Sequence, residues 1–145
     1  MLLYMDEIYI KDFDKWNECQ KTLDKQEFEG FCREREVWWC ALGVNIGSEQ
    51  DGKNDDFERP VLILKRISNE LLLIVPFTSK LIKNRYRVDV KITGQDSQAI
   101  LSQFRTISTK RLLKRIGYVK TDIFNIILVK SAMTLLEGIQ SKTPS

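Results

Sequence analysis

The region that most constrains the fold is a polar loop that lies between two apolar runs. The first run covers residues 37–42 (VWWCAL) and the second covers residues 61–64 (VLIL). Short apolar runs rich in aromatic and branched side chains predict buried strands. The loop contains GSEQ at residues 47–50 and ends in ERP at residues 58–60. Arg59 is therefore predicted at the edge of a strand, where a fixed backbone can aim its guanidinium at an anion.

Composition limits the class of protein. A chain of 145 residues, 43% hydrophobic and 30% charged, fits one globular domain with a core of its own. The net charge of +3 is too small to indicate a nucleic-acid partner without help from the charge distribution. The three cysteines (Cys19, Cys32 and Cys40) are odd in number and lack CxxC spacing. This usage predicts no disulfide framework and favours a reducing compartment.

The sequence also argues against metal and cofactor chemistry. It contains no histidine, which removes the usual general acid–base and any Cys/His zinc site. Counted from Asp51, a calcium loop would have Lys53 at its third position and Asp56 where glycine is needed. No apolar run approaches the roughly 18 residues of a membrane span. The apolar start at residues 1–5 is cut short by two acids, so we expect no signal peptide and a cytoplasmic location.

Periodicity predicts an α+β fold that is mainly β. A helix is expected over residues 12–28, with Asp12 as its cap, and a closing helix runs from Thr121, as its cap, to Glu137, with Gly138 just past its end. One helical turn is expected within residues 108–113. Strands are predicted at residues 36–42, 60–66, 71–76, 86–92, 98–107 (with a bulge at 102–103) and 114–119. Five to seven short strands with flanking helices suggest a small, partly open antiparallel barrel.

Each helix leaves two interpretations open. The first helix either packs on the main domain or presents an exposed Trp16 to a partner. The closing helix contains IILV at residues 126–129, which is apolar all round. Such a helix is either deeply packed or lies in a subunit interface.

An ordered set of short motifs then points to a family. The motifs are EVWW (36–39), GSEQ (47–50), RPVLI (59–63), VPFTS (75–79), SQFRTI (102–107), KRL (110–112) and RIG (115–117). In this order they resemble the MazF/PemK family of toxins from type II toxin–antitoxin systems, over about residues 35–137. The resemblance implies an SH3-like, MazF/CcdB-like barrel that forms a homodimer and cleaves single-stranded RNA at short sequences without a metal. It also implies a cognate antitoxin whose flexible, often acidic tail covers the RNA groove.

The resemblance assigns roles to particular positions. It places the catalytic arginine at Arg59, the catalytic hydroxyl at Thr78 and an activity-affecting glutamate at Glu49. RNA-binding positions follow from the same motifs: Ser48, Gln50, Ser79, Lys80, Gln103 and Arg105. We expect one domain over residues 1–145, made of an N-terminal helical extension (1–34), the barrel (35–138) and a tail (139–145).

Two departures from the family pattern leave the general base open. The loop at residues 51–58 is longer than in many members, and its acids could repel RNA until displaced. Ser102 stands where several members carry an acid. Glu49 and Glu58 are therefore both candidates for the base.

RNA supplies its own nucleophile, so the chemistry needs little from the protein. The 2′-hydroxyl attacks the adjacent phosphorus, and an arginine fork stabilises the charge on the phosphoryl oxygens. The alternative for Arg59 is an ordinary ion pair with Glu58 or another acid, and for Arg105 an ion pair is as reasonable as a phosphate contact. The alternative function is a non-catalytic barrel that binds RNA or protein, as a gyrase poison does.

Positive charge is concentrated in two places that could form an RNA groove. The first basic strip consists of Lys80, Lys83, Arg85 and Arg87, with Tyr86 among them. The second basic strip consists of Lys110, Arg111, Lys114, Arg115 and Lys120, with Tyr118. Either strip could equally be a solvated face without a ligand.

Overall fold

The computed structural model describes residues 8–138, so the tail predicted at residues 139–145 lies outside the described part, as do residues 1–7. The described residues form seven strands, two helices and two short 3₁₀ turns. In order they are α1 (Phe13–Lys25), β1 (Glu36–Ala41), β2 (Glu58–Arg66), β3 (Leu71–Thr78), β4 (Arg87–Ile92), β5 (Gln95–Ile100), β6 (Arg105–Ser108), β7 (Leu112–Tyr118) and α2 (Thr121–Leu136).

The strands form a curled antiparallel sheet in the order β4-β5-β3-β2-β1-β7, with β6 paired to β3. β3 changes partner along its length: residues 71–74 pair with β6, whereas Phe77 and Thr78 pair with β5. This change of partner bends the sheet into a half-barrel. The predicted mainly-β barrel with one helix at each end is confirmed.

Apolar side chains fill both faces of the sheet. One cluster, which includes Leu62 and Phe77, is closed by Phe124 and Ile127 of α2. The other cluster, which includes Trp38 and Ile63, lies on the opposite face with Cys32 and Phe28. The near-continuous apolar runs of β2 and β3 are explained by this burial on both faces.

The segment after β4 differs from its prediction. A single strand with a bulge was expected over residues 98–107, but the chain forms β5, a 3₁₀ turn at Leu101–Gln103, and then β6. Thr93 and Gly94 both have positive φ, so the hairpin turn is tight and β5 already starts at Gln95. The buried Leu101 then fills the core from the 3₁₀ turn, which ends the strand early.

The packing of the two helices decides between the alternatives that the sequence left open for each. α1 begins after Asp12, whose Oδ1 accepts a hydrogen bond from Lys15 N at 2.9 Å, and it buries Trp16 to 5% exposure. The packed-helix interpretation of α1 is therefore confirmed, and an exposed Trp16 is wrong. Helix α2 is not deeply packed in this chain, because Leu128 and Val129 are exposed beside the buried Ile127.

One end of α2 differs from its prediction and the other agrees with it. Lys120 occupies the cap position without a side-chain bond, so Thr121 is the first helical residue rather than the cap. Gly138 has a φ of +81°, as expected of the residue that ends a helix. Among residues 8–138, no helix combines the length and apolarity needed to cross a membrane.

Candidate functional site

Arg59 is the second residue of β2, opposite Cys40 of β1. The residue lies near the start of an interior strand of the sheet and is only 7% exposed. Nε donates a hydrogen bond to the backbone oxygen of Asp51 at 2.5 Å, and Nη1 donates to the backbone oxygen of Phe77 at 3.1 Å. The guanidinium therefore joins the long loop to the end of β3, and both contacts fix its direction.

Gln50 supplies the third contact of this guanidinium. With its amide in the orientation that the surrounding donors require, Oε1 accepts from Arg59 Nη2 at 2.8 Å. An arginine has five N–H donors, and these three acceptors use one each from Nε, Nη1 and Nη2. One hydrogen on each of the two terminal nitrogens is left, and this pair suits the two oxygens of a phosphate.

The acceptors around Arg59 are neutral. In the described part of the chain no carboxylate lies within ion-pair distance of it, so the expected alternative of a pair with Glu58 is not seen. Burial lowers the pKa of Arg59, whereas the charges of Asp51 and Tyr9 raise it. A desolvated cation held by carbonyls is stabilised when an anion binds to it. Groups with pKa values shifted in this way concentrate at functional sites.

Thr78 lies beside this guanidinium. It ends β3, is 8% exposed, and its Oγ1 accepts a hydrogen bond from Lys80 N at 3.1 Å. Accepting that bond leaves the hydroxyl hydrogen to donate to a ligand. Arg59 and Thr78 both line a cleft of about 170 Å³, with Trp39, Lys53, Asn54, Glu58, Pro60, Phe77, Ser79, Gln95 and Ser97 around it.

The two candidate bases are placed differently. Glu58 lines the same cleft as Arg59 and Thr78. Glu49 lines two neighbouring clefts instead, and its Oε1 accepts a hydrogen bond from Ile46 N at 2.9 Å, which closes a local turn. The structure thus brings Glu58, and not Glu49, into the cleft that contains Thr78.

The predicted RNA-binding residues of the 47–50 loop meet Gln103. Gln103 Nε2 donates to Ser48 O, and Gln50 N donates to Gln103 Oε1, both at 3.2 Å. Arg105 reaches Asn45 Oδ1 at 3.5 Å rather than an acid. These residues line a second cleft, of about 510 Å³.

Ser79 and Lys80 lie beyond Thr78 and are exposed. Lys80 uses its backbone twice: its N–H donates to Thr78, and its carbonyl accepts from Arg87 Nη1 at 3.2 Å. Burial lowers the pKa of Arg87. Elsewhere in the first basic strip, Arg85 is paired with Glu137 at 3.4 Å.

Contacts from the N-terminal segment were not anticipated from the sequence. Tyr9 donates its hydroxyl to Asp51 Oδ2 at 3.0 Å, and Lys11 Nζ lies 3.4 Å from the same oxygen. Asn45 N donates to Asp51 Oδ1 at 2.6 Å. Asp51 therefore connects the N-terminal segment to the long loop. Two acids of the 51–58 loop already have cationic partners: Asp51 pairs with Lys11, and Asp55 pairs with Lys15 at 3.0 Å. The separations of more than 30 residues explain why no local pattern could reveal the N-terminal contacts.

Between residues 8 and 138, the structure brings together no group of three Cys, Asp or Glu side chains that could hold a metal ion. The arrangement is instead a curled antiparallel half-barrel with one buried arginine that faces a small polar cleft. That combination defines the class: a small barrel protein in which carbonyl oxygens orient a buried arginine beside a cleft.

Residues 33–132 match the sequence profile of the PemK-like, MazF-like toxins of type II toxin–antitoxin systems. The chain belongs to this family. No curated protein sequence matches the chain.

Solved structures agree on the fold. A MazF crystal structure from Deinococcus radiodurans superposes with a TM-score of 0.63 at 17% identity, covering 74% of this chain and 98% of the other. An endoribonuclease from a mycobacterial species, in complex with its cognate antitoxin, gives a TM-score of 0.56 at 15% identity, covering 74% and 97%. The Mycobacterium tuberculosis toxin MazF-mt6 gives 0.54 at 20% identity, covering 70% and 96%.

Proposed function

We propose that this chain is a toxin endoribonuclease that cleaves single-stranded RNA at short sequences. The observation that carries the proposal is the buried guanidinium of Arg59, which is held by neutral oxygens and shares a cleft with Thr78. Family membership and the endoribonuclease among the similar folds support the same conclusion.

In the proposed mechanism, the scissile phosphate binds over the two remaining N–H groups of Arg59. The 2′-hydroxyl of the preceding ribose loses its proton to a general base and attacks phosphorus, and the bond to the 5′-oxygen breaks. The leaving 5′-oxygen takes a proton from water, so the products are a 2′,3′-cyclic phosphate and a 5′-hydroxyl. Arg59 stabilises the charge that develops on the phosphoryl oxygens, and Thr78 donates a hydrogen bond to one of them. The proposed step needs no metal ion.

The general base of this mechanism is best assigned to Glu58. It lines the cleft that contains Arg59 and Thr78, whereas the carboxylate of Glu49 supports the turn of the loop. A base must lie within hydrogen-bond reach of the proton it removes, and only Glu58 shares the cleft with both groups. Glu49 then acts on the activity through the shape of the 47–50 loop.

We further propose two macromolecular partners and a location. Ser48, Gln50, Ser79, Lys80, Gln103 and Arg105 would contact the RNA on either side of the scissile phosphate, and an antitoxin tail would compete for this groove. A second copy of the chain would cover the exposed apolar residues of α2, including Val129 and Met133. Sedimentation should then give the mass of two chains, and the mass of one would contradict this assembly. The three free cysteines fit a cytoplasmic location.

The test uses the purified chain in EDTA with two oligonucleotides of the same sequence, one of RNA and one with deoxyribose throughout. We expect cutting of the RNA alone, with a cyclic phosphate at the new 3′ end, and near-complete loss of cutting in Arg59→Ala. Cutting of the deoxy oligonucleotide would contradict attack by the 2′-hydroxyl.

One observation favours the alternative of a non-catalytic barrel. Arg59 is 7% exposed and already uses three donors, which also suits a purely structural arginine. In that case the chain would bind RNA or a protein without cutting either. RNA that is bound but left intact by the wild-type chain would establish this alternative and overturn the enzyme.

A further inference from the structure

A cleft of about 570 Å³ lies between the N-terminal segment and the long loop, and the proposed mechanism leaves it unused. Its walls include Tyr9 and Ile10 on one side and residues 47–54 on the other, with Arg59 at one end. This volume falls in the range of small-molecule sites in proteins. The question is what ligand it would accept.

The cleft is continuous with the proposed reaction site. Arg59, Lys53 and Asn54 line both this cleft and the smaller cleft of Thr78. A phosphate over Arg59 would therefore place one of its two flanking nucleotides at the mouth of the larger cleft. Single-stranded RNA is usually bound with its bases unstacked and turned onto protein side chains.

The wall formed by Tyr9 has the properties of a stacking platform. Tyr9 is 63% exposed as a residue, and its neighbours Ile8 and Ile10 are more exposed still, at 86% and 79%. The hydroxyl is nevertheless fixed by its hydrogen bond to Asp51. Burial, together with this hydrogen bond, raises the pKa of Tyr9. An aromatic face that is exposed but already oriented loses little entropy when it binds a base.

The segment that carries Tyr9 is also anchored behind the ring. Lys11 Nζ donates to the carbonyl oxygens of Asn45 and Gly47 at 2.6 and 2.9 Å. Further along, Trp16 packs edge-on against Phe57 with ring centroids 5.4 Å apart, and it fills the space beside Gly43, where any side chain would run into the indole. The wall is therefore built into the fold.

We propose that the cleft between Tyr9 and the 47–54 loop is a subsite for one unpaired RNA base, next to the phosphate on Arg59 and stacked on the Tyr9 ring. This rests on the proposed ribonuclease function. The Tyr9 wall of the subsite is contributed by residues that lie before the family match, which starts at residue 33. It would add contacts with the substrate that the matched segment does not supply by itself.

The test measures kcat/KM on an RNA that the wild-type chain cuts, and on the same RNA with an abasic ribose on each side of the scissile phosphate in turn. Tyr9→Ala should lower kcat/KM about 5- to 100-fold, the range for a lost base–aromatic stack, while Tyr9→Phe stays within about twofold. One abasic substitution should cost the wild type the same factor and cost Tyr9→Ala nothing further. Phe31→Ala is the matched control, because Phe31 is similarly exposed (64%), also lies before the family match and should have no effect.

Three results would overturn the subsite. Tyr9→Phe could lose as much as Tyr9→Ala, which would show that the bond to Asp51 matters and the ring does not. Tyr9→Ala could lower kcat/KM by the same factor on both abasic RNAs as on the intact RNA, which would show that the ring contacts neither flanking base. It could also cut every RNA faster, which would make the segment a lid.

A failure of the proposed function would look different. If the wild-type chain cuts no RNA, the dissociation constants of the same variants for the same RNAs are measured by fluorescence anisotropy and compared in place of kcat/KM. Coupling between Tyr9→Ala and one abasic position would then support the base subsite without the enzyme. Absence of that coupling, or of any RNA binding, would overturn the subsite as well.

Discussion

Two basic regions flank strand β1, and they use their arginines differently. On the β2 side, Arg59 donates to three neutral oxygens, which leave one N–H on each terminal nitrogen unused, and it lines the cleft of Thr78. On the β7 side, Arg111 donates to the carbonyls of Ala41 and Leu42 at 3.3 and 3.5 Å and lies 5.6 Å from the Trp16 ring. Burial lowers the pKa of both arginines.

Two of the other four basic residues of the second basic strip also make structural contacts. Lys110 donates to Asp24 O at 2.7 Å, and Arg115 pairs with Glu36 at 3.0 Å. Its arginines fasten α1 and the start of β1 to the sheet. Positive charge in the sequence therefore does not identify a ligand site. A better criterion for a ligand site is whether all N–H donors of a buried cation bond to the protein or some of them remain unbonded beside a cleft.

The largest expected effect separates Arg59 from Arg111. Arg59→Ala should lower the single-turnover cleavage rate about 10²–10³-fold, the usual result of removing a group that stabilises developing charge. Its free energy of unfolding should change little, because the lost hydrogen bonds are offset by removal of a desolvated cation. Arg111→Ala should lower the free energy of unfolding by about 1–3 kcal/mol and leave the rate within about threefold.

Denaturant unfolding and single-turnover kinetics on both variants check this comparison. If both variants lose rate and stability in parallel, the two regions do not differ in function. A large loss of rate in a well-folded Arg111→Ala would move the site to the β7 side.

A smaller effect is expected for the hydroxyl of Thr78. Thr78→Val should lower the cleavage rate about 10- to 100-fold, as expected for a hydrogen bond to a charged group worth about 1.5–3 kcal/mol. Thr109→Val is the matched control, because Thr109 is also buried and donates to Asn69 O at 3.3 Å. That variant should lose about 1 kcal/mol of stability with an unchanged rate. Equal rates for wild type and Thr78→Val would remove Thr78 from the mechanism.

The smallest effect concerns Cys40, which lies in β1 between the two regions, opposite Arg59 and Leu112. Burial raises the pKa of this thiol to about 12 from an ordinary value of 9.0. The unfolded thiol therefore ionises first, so its contribution to stability is complete below about pH 9 and is lost as the pH rises towards 12.

Unfolding measured at several pH values from 8 to 10.5 checks the state of Cys40. Relative to Cys40→Ala, the wild type should lose stability more steeply above pH 9, by at most about 1.4 kcal/mol per pH unit. Parallel pH profiles for the two proteins would show that water reaches β1 between the regions. Cys19→Ala, at a half-buried position on α1, should give a smaller change in slope.

The local parts of this structure could be predicted from the sequence, and the long-range contacts could not. Helix α1 and the apolar runs of β1, β2 and β3 follow from spacing, and the ordered motifs identify the family. The break at Leu101–Gln103 was missed because an apolar residue at a core position looks the same in a strand and in a 3₁₀ turn. Strand β2 begins at Glu58, two residues before its prediction, because Glu58 bridges to Lys53 across the loop.

Long-range contacts also limited what could be predicted of the candidate site. Arg59 and Thr78 were predicted to act together, and the structure puts them in one cleft. The oxygens that orient Arg59 belong to Asp51, Phe77 and Gln50, and neither spacing nor composition indicates which backbone carbonyls turn towards a side chain. Tyr9 gave no signal either, because its partner Asp51 is 42 residues away.

The central claim is that Arg59 acts on charge that develops during cleavage and does more than attract RNA. The most direct test is Arg59→Lys, which keeps the positive charge and removes the planar fork. Binding is measured on an RNA with a single 2′-deoxyribose at the cleavage site, and single-turnover cleavage on the intact RNA. We predict binding within about threefold of wild type and cleavage at least about 10²-fold slower. Cleavage within about threefold of wild type, or a loss of binding as large as the loss of rate, would contradict this role of Arg59.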